Sequence, residues 1–192
     1  MNKPLFLCIG RSASGKTTIA NMLAEKCGYT QVESYTTRPP RYDRERGHIF
    51  VSEEEFNSLG ELAAYTYYHG NHYGTTLAQL TDCDIYVIDV PGCESLLDKL
   101  KDDTRPIVVF YFDASAYNRI LRMRGRGDSD AMIVERLLQD EKDDWYKQID
   151  ALVWKYNNII GKNVDMCTIN ANGNLSNVLQ LVMYYINKYL ED

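Results

Sequence analysis

The sequence predicts an α/β fold in which a parallel β-sheet is flanked by helices. Short, almost wholly apolar runs alternate with stretches that carry apolar residues at helical spacing. Continuous apolar runs are typical of parallel strands, because helices cover both faces of such a sheet. The chain has 192 residues, of which 45% are hydrophobic, and this is enough for one domain with a substantial core.

Charge and cysteine content narrow the possible partners. The 21 basic and 27 acidic side chains give a net charge of −6, which argues against non-specific binding to nucleic acid but allows a local basic pocket. The five cysteines are odd in number and form no C-x-x-C pair, so we expect free thiols in a reducing compartment. The run Leu5–Ile9 is too short for a signal peptide or a membrane helix. We therefore expect a soluble cytoplasmic protein without a membrane partner.

The first half of the chain predicts a strand–loop–helix unit followed by an irregular, β-rich region. Residues 5–9 are expected to form a buried strand and 16–26 a helix, which Gly28 ends and a short strand at 30–33 follows. Pro39 and Pro40 exclude a helix around them, so 34–41 is expected to be a fixed loop. Beyond this loop the patterns predict a strand at 48–51, a capped helix at 52–59, strands at 63–68 and 72–73, and a helix at 75–80.

The second half returns to alternating strands and helices. An apolar strand at 84–90 carries Asp89 near its end and is broken by Pro91-Gly92. After it the patterns predict a helix at 94–101, a strand at 106–112, a helix at 115–122, a long helix at 131–156, a strand at 166–169 and a helix at 175–190. We expect a single domain over 1–192 with its core at 1–33, 81–122 and 131–192, an inserted lobe at 34–80 and a mobile lid at 123–130.

The stretch between the first strand and the first helix carries the most specific motif. Residues 10–17 read G-R-S-A-S-G-K-T and fit the phosphate-binding pattern G-x-x-x-x-G-K-[ST]. Backbone N–H groups of such a loop wrap a phosphate, the lysine meets the β- and γ-phosphates, and the threonine ligates Mg²⁺. The alternative is a glycine-rich turn with a surface lysine, and the flanking strand and helix favour the phosphate site. The expected ATP contacts are Ser12, Ala13, Ser14, Gly15, Lys16, Thr17 and Thr18.

Two clusters of arginine stand out in this acidic chain. Arg38 and Arg41 lie in the proline-held loop, where two forked guanidinium groups suit one phosphate, with a solvated basic turn as the alternative. Arg122 precedes the expected lid, Arg126 lies within it, and Arg136 follows it. Mobile arginines that close over a transferring group are used in phosphoryl transfer. The alternative for this second cluster is a helix end neutralised by nearby acids: Asp128, Asp130 and Glu135.

Asp89 lies at the strand end where a doubly wound sheet places its ligands. A carboxylate there orients Mg²⁺ through water or accepts a hydrogen bond from a substrate N–H. The alternative role is that of a helix N-cap, which the intervening Pro91-Gly92 disfavours.

Together with further segments, these motifs make the chain resemble the guanylate kinase family over nearly its whole length. S-Y-T-T-R-P-P-R at 34–41 resembles the family's S-x-T-T-R-x-P-R, and H-G-N-H-Y-G-T at 69–75 resembles its G-N-Y-Y-G-[ST]. R-M-R-G-R-G at 122–127, followed by E-R-L at 135–137, resembles its lid. The resemblance implies a P-loop NTPase-type fold and Mg²⁺-dependent transfer of the ATP γ-phosphoryl group to GMP or dGMP.

The resemblance also implies roles for individual residues. The acceptor phosphate is assigned to Arg38, Arg41 and Tyr73, with His48 in place of a tyrosine that contacts it. The guanine is assigned to Ser34, Thr75 and Asp89, and the adenine contact to Asn170. The implied catalytic residues are Lys16, Arg122, Arg126 and Arg136. Mg²⁺ is assigned to Thr17 and, through water, to Asp89.

The chain departs from the family pattern mainly where the base is read. Ala64 stands where the family has a glutamate that reads the guanine edge, and Glu45 is the nearest acid in a shortened loop after Arg41. The lid is also shorter than in the family. Two alternatives therefore stay open: a kinase of the same fold that acts on another nucleoside monophosphate or a ribosyl bisphosphate, and a guanylate kinase-like binding module that no longer catalyses.

Overall fold

Two β-sheets organise the chain in its computed structural model, which describes residues 3–41, 43–68, 70–142 and 144–191. Within these residues the first sheet is parallel, and its strands run in the order β6 (Ile85–Val87), β1 (Leu5–Ile9), β7 (Ile107–Asp113) and β8 (Val164–Asn170). The second sheet is mixed, and its strands run in the order β3 (His48–Phe50), β2 (Ser34–Thr36), β5 (Asn71–Thr75) and β4 (Ala64–Tyr68).

The helices of the described residues follow the strands along the chain. They are α1 (Lys16–Cys27), α2 (Glu53–Asn57), α3 (Leu77–Leu80), α4 (Val90–Lys99), α5 (Ala116–Gly125), α6 (Asp130–Lys142), α7 (Trp145–Lys155), which continues as a π-helical turn (Tyr156–Ile160), and α8 (Leu175–Glu191).

The parallel sheet is buried on both faces because alternate residues of its strands point to opposite sides. Leu5 and Leu7 of β1 belong to one apolar core with residues of α4 and α7, whereas Phe6 and Cys8 belong to a second core with residues of α1 and α8. The predicted α/β class, with a parallel sheet flanked by helices, is confirmed. No helix in the described ranges is long and apolar enough to cross a membrane.

The structure corrects the boundaries expected near the mixed sheet. The strand expected at 30–33 is reduced to a single bridge between Gln31 and Ile85. The loop expected at 34–41 begins with β2, which pairs with β3 on one edge and with β5 on the other. Pro39 and Pro40 lie beyond this strand, so they exclude a helix without excluding the strand before them. The helix expected at 75–80 is limited to α3, because Thr75 still belongs to β5.

The strand expected at 84–90 is also too long. It ends at Val87, and α4 starts at Val90 with Pro91 in its first turn. Asp89 is the N-cap of α4, since its Oδ1 accepts the backbone N–H of Gly92 at 2.8 Å. Proline fits here because the first N–H groups of a helix have no partner within it. The expectation that Pro91-Gly92 disfavours an N-cap at Asp89 is therefore wrong.

The long helix expected at 131–156 is two helices, α6 and α7. Asp144 caps the second, because its side chain accepts the backbone N–H of Lys147 at 3.3 Å. The apolar pattern continues across the break and hides it, whereas the polar run at 141–144 marks it. The helix expected at 115–122 extends to Gly125, and the strand expected at 166–169 extends to Val164–Asn170.

Lys162 offers a test of the packing at the amino ends of the parallel strands. It lies just before β8, at the opposite end of the sheet from the loop that follows β1. It is 5% exposed, and its Nζ donates to the carbonyls of Asp103 at 2.6 Å and Arg105 at 3.3 Å. We expect Lys162→Met to lower the melting temperature by roughly 5 °C, because two carbonyl groups lose a charged donor. Circular dichroism melts measure this, and an unchanged melting temperature would contradict it.

Candidate active site

An open cleft of about 920 Å³ lies where the carboxyl ends of the parallel strands face the mixed sheet. It brings together most of the residues that the sequence predicts to act, although they are far apart in the chain. The predicted site residues that line it are Ser12, Ala13, Gly15, Lys16, Thr17, Thr18, Ser34, Arg38, Arg41, His48, Tyr73, Asp89, Arg122, Arg126 and Arg136.

Three predicted site residues, Ser14, Thr75 and Asn170, are not among the described residues that line the cleft. Ser14 and Thr75 are buried, and the Thr75 Oγ1 lies 2.6 Å from the hydroxyl of Tyr86, which does line the cleft. Asn170 uses its Oδ1 to accept the backbone N–H of Asn172 at 3.1 Å. The cleft wall that follows β8 is formed instead by Gly173, Asn174 and Leu175.

The loop at 10–17 is packed tightly against β7. A Cβ at Gly10 would lie 2.5 Å from the carbonyl oxygen of Phe112, so this position excludes a side chain. Gly15 has a φ of 103° and precedes α1, whose first three residues, Lys16, Thr17 and Thr18, line the cleft. The start of α1, whose first N–H groups have no partner within the helix, therefore lies at the cleft, as a phosphate site requires.

Lys16 lies between the loop and the cleft. Its Nζ donates to the carbonyl of Arg11 at 3.0 Å and also to that of Gly10. Burial lowers the pKa of Lys16 to about 8, although the carboxylate of Asp140 acts in the opposite direction. The ammonium group is therefore poised to lose its charge at mildly alkaline pH.

The arginines in and around the expected lid contact the loop at 10–17 or a shared acid. Arg122 donates to the carbonyls of Ala13 at 3.3 Å and Ser14 at 3.0 Å. Arg126 and Arg136 both bind Asp128, at 2.7 and 3.1 Å. The neutralisation by an acid that the second alternative predicts is thus found at Arg126 and Arg136, whereas closure of these arginines over a transferring group stays a prediction.

Glu45 organises the arginines on the other side of the cleft. Its carboxylate binds Arg38 through two hydrogen bonds, of 2.9 and 3.1 Å, and accepts the backbone N–H of Arg41 at 2.7 Å. Burial raises the pKa of Glu45, but the hydrogen bonds from these residues outweigh it and leave the pKa below its usual value. The guanidinium of Arg38 also lies 5.3 Å from the ring centre of Phe50. Arg38 and Arg41 are thus held at the cleft rather than free in solvent.

His48 and Ser34 form a hydrogen-bonded pair in the part of the cleft that the mixed sheet lines. They are opposite each other in the β2–β3 register, and the Ser34 Oγ lies 2.9 Å from the His48 Nδ1. Burial, followed by the charge of Arg38, lowers the pKa of His48 to about 4. The imidazole is therefore neutral near pH 7 and adds no charge to the arginine pair.

β4 forms a wall of the cleft with every second side chain, because alternate residues of a strand lie on the same face. Ala64 is 1% exposed, lies opposite Thr75 in the β4–β5 register, and is followed on the same face by Thr66 and Tyr68. Burial raises the pKa of Asp89, while hydrogen bonds from the Gly92 N–H and the Thr66 side chain oppose the rise. Asp89 is thus a helix cap whose carboxylate also faces the cleft.

Several contributors were missed by sequence reasoning. The alternation of β4 would have identified Thr66, but no local signal marks Trp145, which also lines the cleft. The pair Arg119 and Asp140 lies behind the loop and depends on contacts between two helices. The described residues contain no group of three or more His, Cys, Asp or Glu that could hold a metal ion.

Comparison with known proteins identifies the family. The chain is 31% identical over 146 residues to a guanylate kinase from Geobacter metallireducens, which covers 69% of this chain and 70% of that protein. It is 28% identical over 171 residues to a guanylate kinase from Fusobacterium nucleatum, with 83% and 88% covered. The crystal structure of guanylate kinase from Anaplasma phagocytophilum shares the fold, with a TM-score of 0.58 at 18% identity over 98% of this chain and 87% of that chain. No protein-family model matches the chain. On the identity and coverage of these relatives, the chain belongs to the guanylate kinase family.

Proposed function

We propose that the protein is an ATP-dependent guanylate kinase, which transfers the γ-phosphoryl group of ATP to GMP or dGMP and releases ADP. The observation that carries the proposal is the single cleft that holds the phosphate loop, the Arg38–Arg41 pair and the arginines of α5 and α6. Two phosphate sites that face each other, with arginines between them, suit direct transfer between nucleotides.

On the donor side, the loop N–H groups and Lys16 bind the ATP phosphates. Arg122, Arg126 and Arg136 stabilise the charge on the transferring group, and the last two exchange Asp128 for phosphate oxygens. We assign the lid to 123–130, between Arg122 and Arg136, and the acceptor lobe to 34–80. The adenine contact of Asn170 stays a prediction, because its side chain binds Asn172.

A magnesium ion suits the donor side. Mg²⁺ is commonly held by one or two protein oxygens together with substrate phosphates, so it needs no cage of carboxylates. Thr17 lines the cleft beside Lys16 and would hold the ion, and Asp89 would act through water. The bound ion would supply positive charge that neutralises the phosphates.

On the acceptor side, Arg38, Arg41 and Tyr73 bind the phosphate. The Ser34–His48 pair, Asp89 and the Thr75-bound Tyr86 surround the base. No general base is required, because the acceptor phosphate is already an anion. All five cysteines are free thiols, and we infer from this that the enzyme works in the reducing cytoplasm.

A coupled ADP-release assay tests the proposal. Mg²⁺-ATP is offered with GMP, dGMP, AMP, CMP, UMP and a ribose bisphosphate, and we expect transfer to GMP and dGMP to dominate. Arg41→Met should raise the KM for GMP by about tenfold or more, because a charged donor is lost, while the KM for ATP stays the same. If another acceptor is preferred, GMP is not the substrate. If ATP binds but no phosphoryl group is transferred to any acceptor, the protein is not a kinase.

Restoring a carboxylate at position 64 tests base recognition. We expect Ala64→Glu to lower the KM for GMP by about tenfold, because a buried acceptor then meets the N–H groups of guanine. Ala64→Gln is the matched control, with similar size but no charge, and should gain less. If neither variant improves the KM for GMP and both keep the wild-type melting temperature, position 64 does not face the base.

The pKa of Lys16 predicts how nucleotide binding depends on pH. Because the ammonium group is needed and its pKa is about 8, the affinity for Mg²⁺-ADP should fall by up to tenfold per pH unit above about pH 8. Below that pH the lysine stays charged, so affinity should be nearly constant between pH 6 and about pH 7.5. Fluorescence titrations that use Trp145 as reporter measure this. Lys16→Arg is the control, since arginine stays charged, and an equal alkaline loss in that variant would refute the assignment to Lys16.

A further inference from the structure

A buried ion pair lies behind the phosphate loop and takes no part in the roles assigned so far. Arg119 of α5 and Asp140 of α6 are 1% and 0% exposed, and their Nη1 and Oδ2 atoms are 2.6 Å apart. The same Oδ2 accepts the backbone N–H of Ser12 at 2.9 Å, and the Asp140 Oδ1 lies 3.3 Å from the Ser12 Oγ. Both oxygens of this carboxylate are thus directed at the loop.

Stability alone is a weak reason for such a pair. Removing two charges from water costs free energy that their attraction often fails to offset, and apolar residues of similar size frequently replace buried pairs without loss. What an apolar pair cannot supply is an acceptor for the Ser12 N–H, which lies inside the phosphate loop. The arrangement therefore points to control of loop geometry.

The pair also connects the loop to the arginines of the cleft. Arg119 lies three residues before Arg122, which donates to the loop carbonyls of Ala13 and Ser14. Asp140 lies four residues after Arg136, one turn along the same helix. Neither Arg119 nor Asp140 is among the described residues that line the cleft. Asp140 thus holds the loop from behind and does not occupy the place of a phosphate.

We propose that Asp140 is a positioning residue for ATP, which fixes the Ser12 segment of the phosphate loop relative to α5 and α6, with Arg119 as its counter-ion. The inference rests on the proposed function only in naming ATP as the donor. Loop N–H groups and arginines act on the same phosphates, so a displacement of about 1 Å between them costs a large factor in rate.

Two double variants separate positioning from stability. Arg119→Met with Asp140→Leu removes both charges and the acceptor for the Ser12 N–H. Arg119→Met with Asp140→Asn removes the same charges but keeps an amide oxygen of the same reach. Neither leaves a buried unpaired charge, so both should melt near the wild-type temperature, whereas Asp140→Leu alone should melt roughly 10 °C lower.

We expect the Leu double variant to weaken Mg²⁺-ADP binding and kcat/KM for ATP by about tenfold or more, with the KM for the acceptor unchanged. The Asn double variant should stay within about threefold of wild type. Lys162→Met is the control for stability loss alone, and should leave the nucleotide affinity unchanged. Wild-type nucleotide affinity and kcat in the Leu double variant would overturn the proposal and make the pair purely structural.

Binding of Mg²⁺-ADP, followed by Trp145 fluorescence, needs no acceptor. A wrong choice of GMP would thus not be mistaken for failure of this proposal. Hydrogen exchange of the wild-type protein gives a test that needs no variant. The Ser12 amide should exchange at least about tenfold more slowly than an amide open to solvent. Unprotected exchange at Ser12 would contradict the proposal, even if a variant failed to fold.

Discussion

The site depends on one close backbone approach, at the point where β1 ends. At Gly10 the loop passes so near the Phe112 carbonyl that a Cβ would lie 2.5 Å from it. This approach places the loop at the carboxyl ends of β1 and β7 and directs the start of α1 towards the cleft. Lys16 then binds the carbonyls of Gly10 and Arg11, so the position of its charge follows from the same turn.

Three carboxylates organise the positive charge of an otherwise acidic chain. Glu45 holds Arg38 and the Arg41 backbone, Asp128 holds Arg126 and Arg136, and Asp140 holds Arg119. The first two acids lie beside the cleft arginines, where the phosphate oxygens of the proposed substrates would compete for the same donors. Asp140 differs because it is fully buried and also accepts a backbone N–H of the loop. Acid-bound arginines at the cleft are thus combined with a buried polar anchor behind it.

The elements that a local sequence pattern determines were predicted correctly. The phosphate motif fixes its own neighbours, so β1, the loop and α1 were predicted nearly in full. The strand end near Asp89 was predicted wrongly, because the apolar run continues from β6 into α4 and conceals the helix cap between them. The break between α6 and α7 was not predicted, because the apolar pattern continues across it as well. The pairing of Arg119 with Asp140 joins two helices across 21 residues and could not be predicted from spacing alone.

The mixed sheet shows the limit of motif matching most clearly. The register that sets Ser34 against His48 and Ala64 against Thr75 explains how this wall of the cleft is built. The resemblance to the guanylate kinase family had identified these positions. Whether the base of the proposed acceptor meets a carboxylate, however, depends on which side chains share one face of β4. Thr66 and Tyr68 share that face with Ala64, and neither carries a charge near pH 7.

The most direct test of the account is calorimetric titration with adenosine and guanosine joined through a chain of five phosphates. If donor and acceptor phosphates share one cleft, this compound should bind once per chain and at least about 100-fold more tightly than Mg²⁺-ATP, because the second contact becomes intramolecular. It should also be displaced by either nucleotide. Affinity no better than that of Mg²⁺-ATP would contradict a shared site for the two nucleotides.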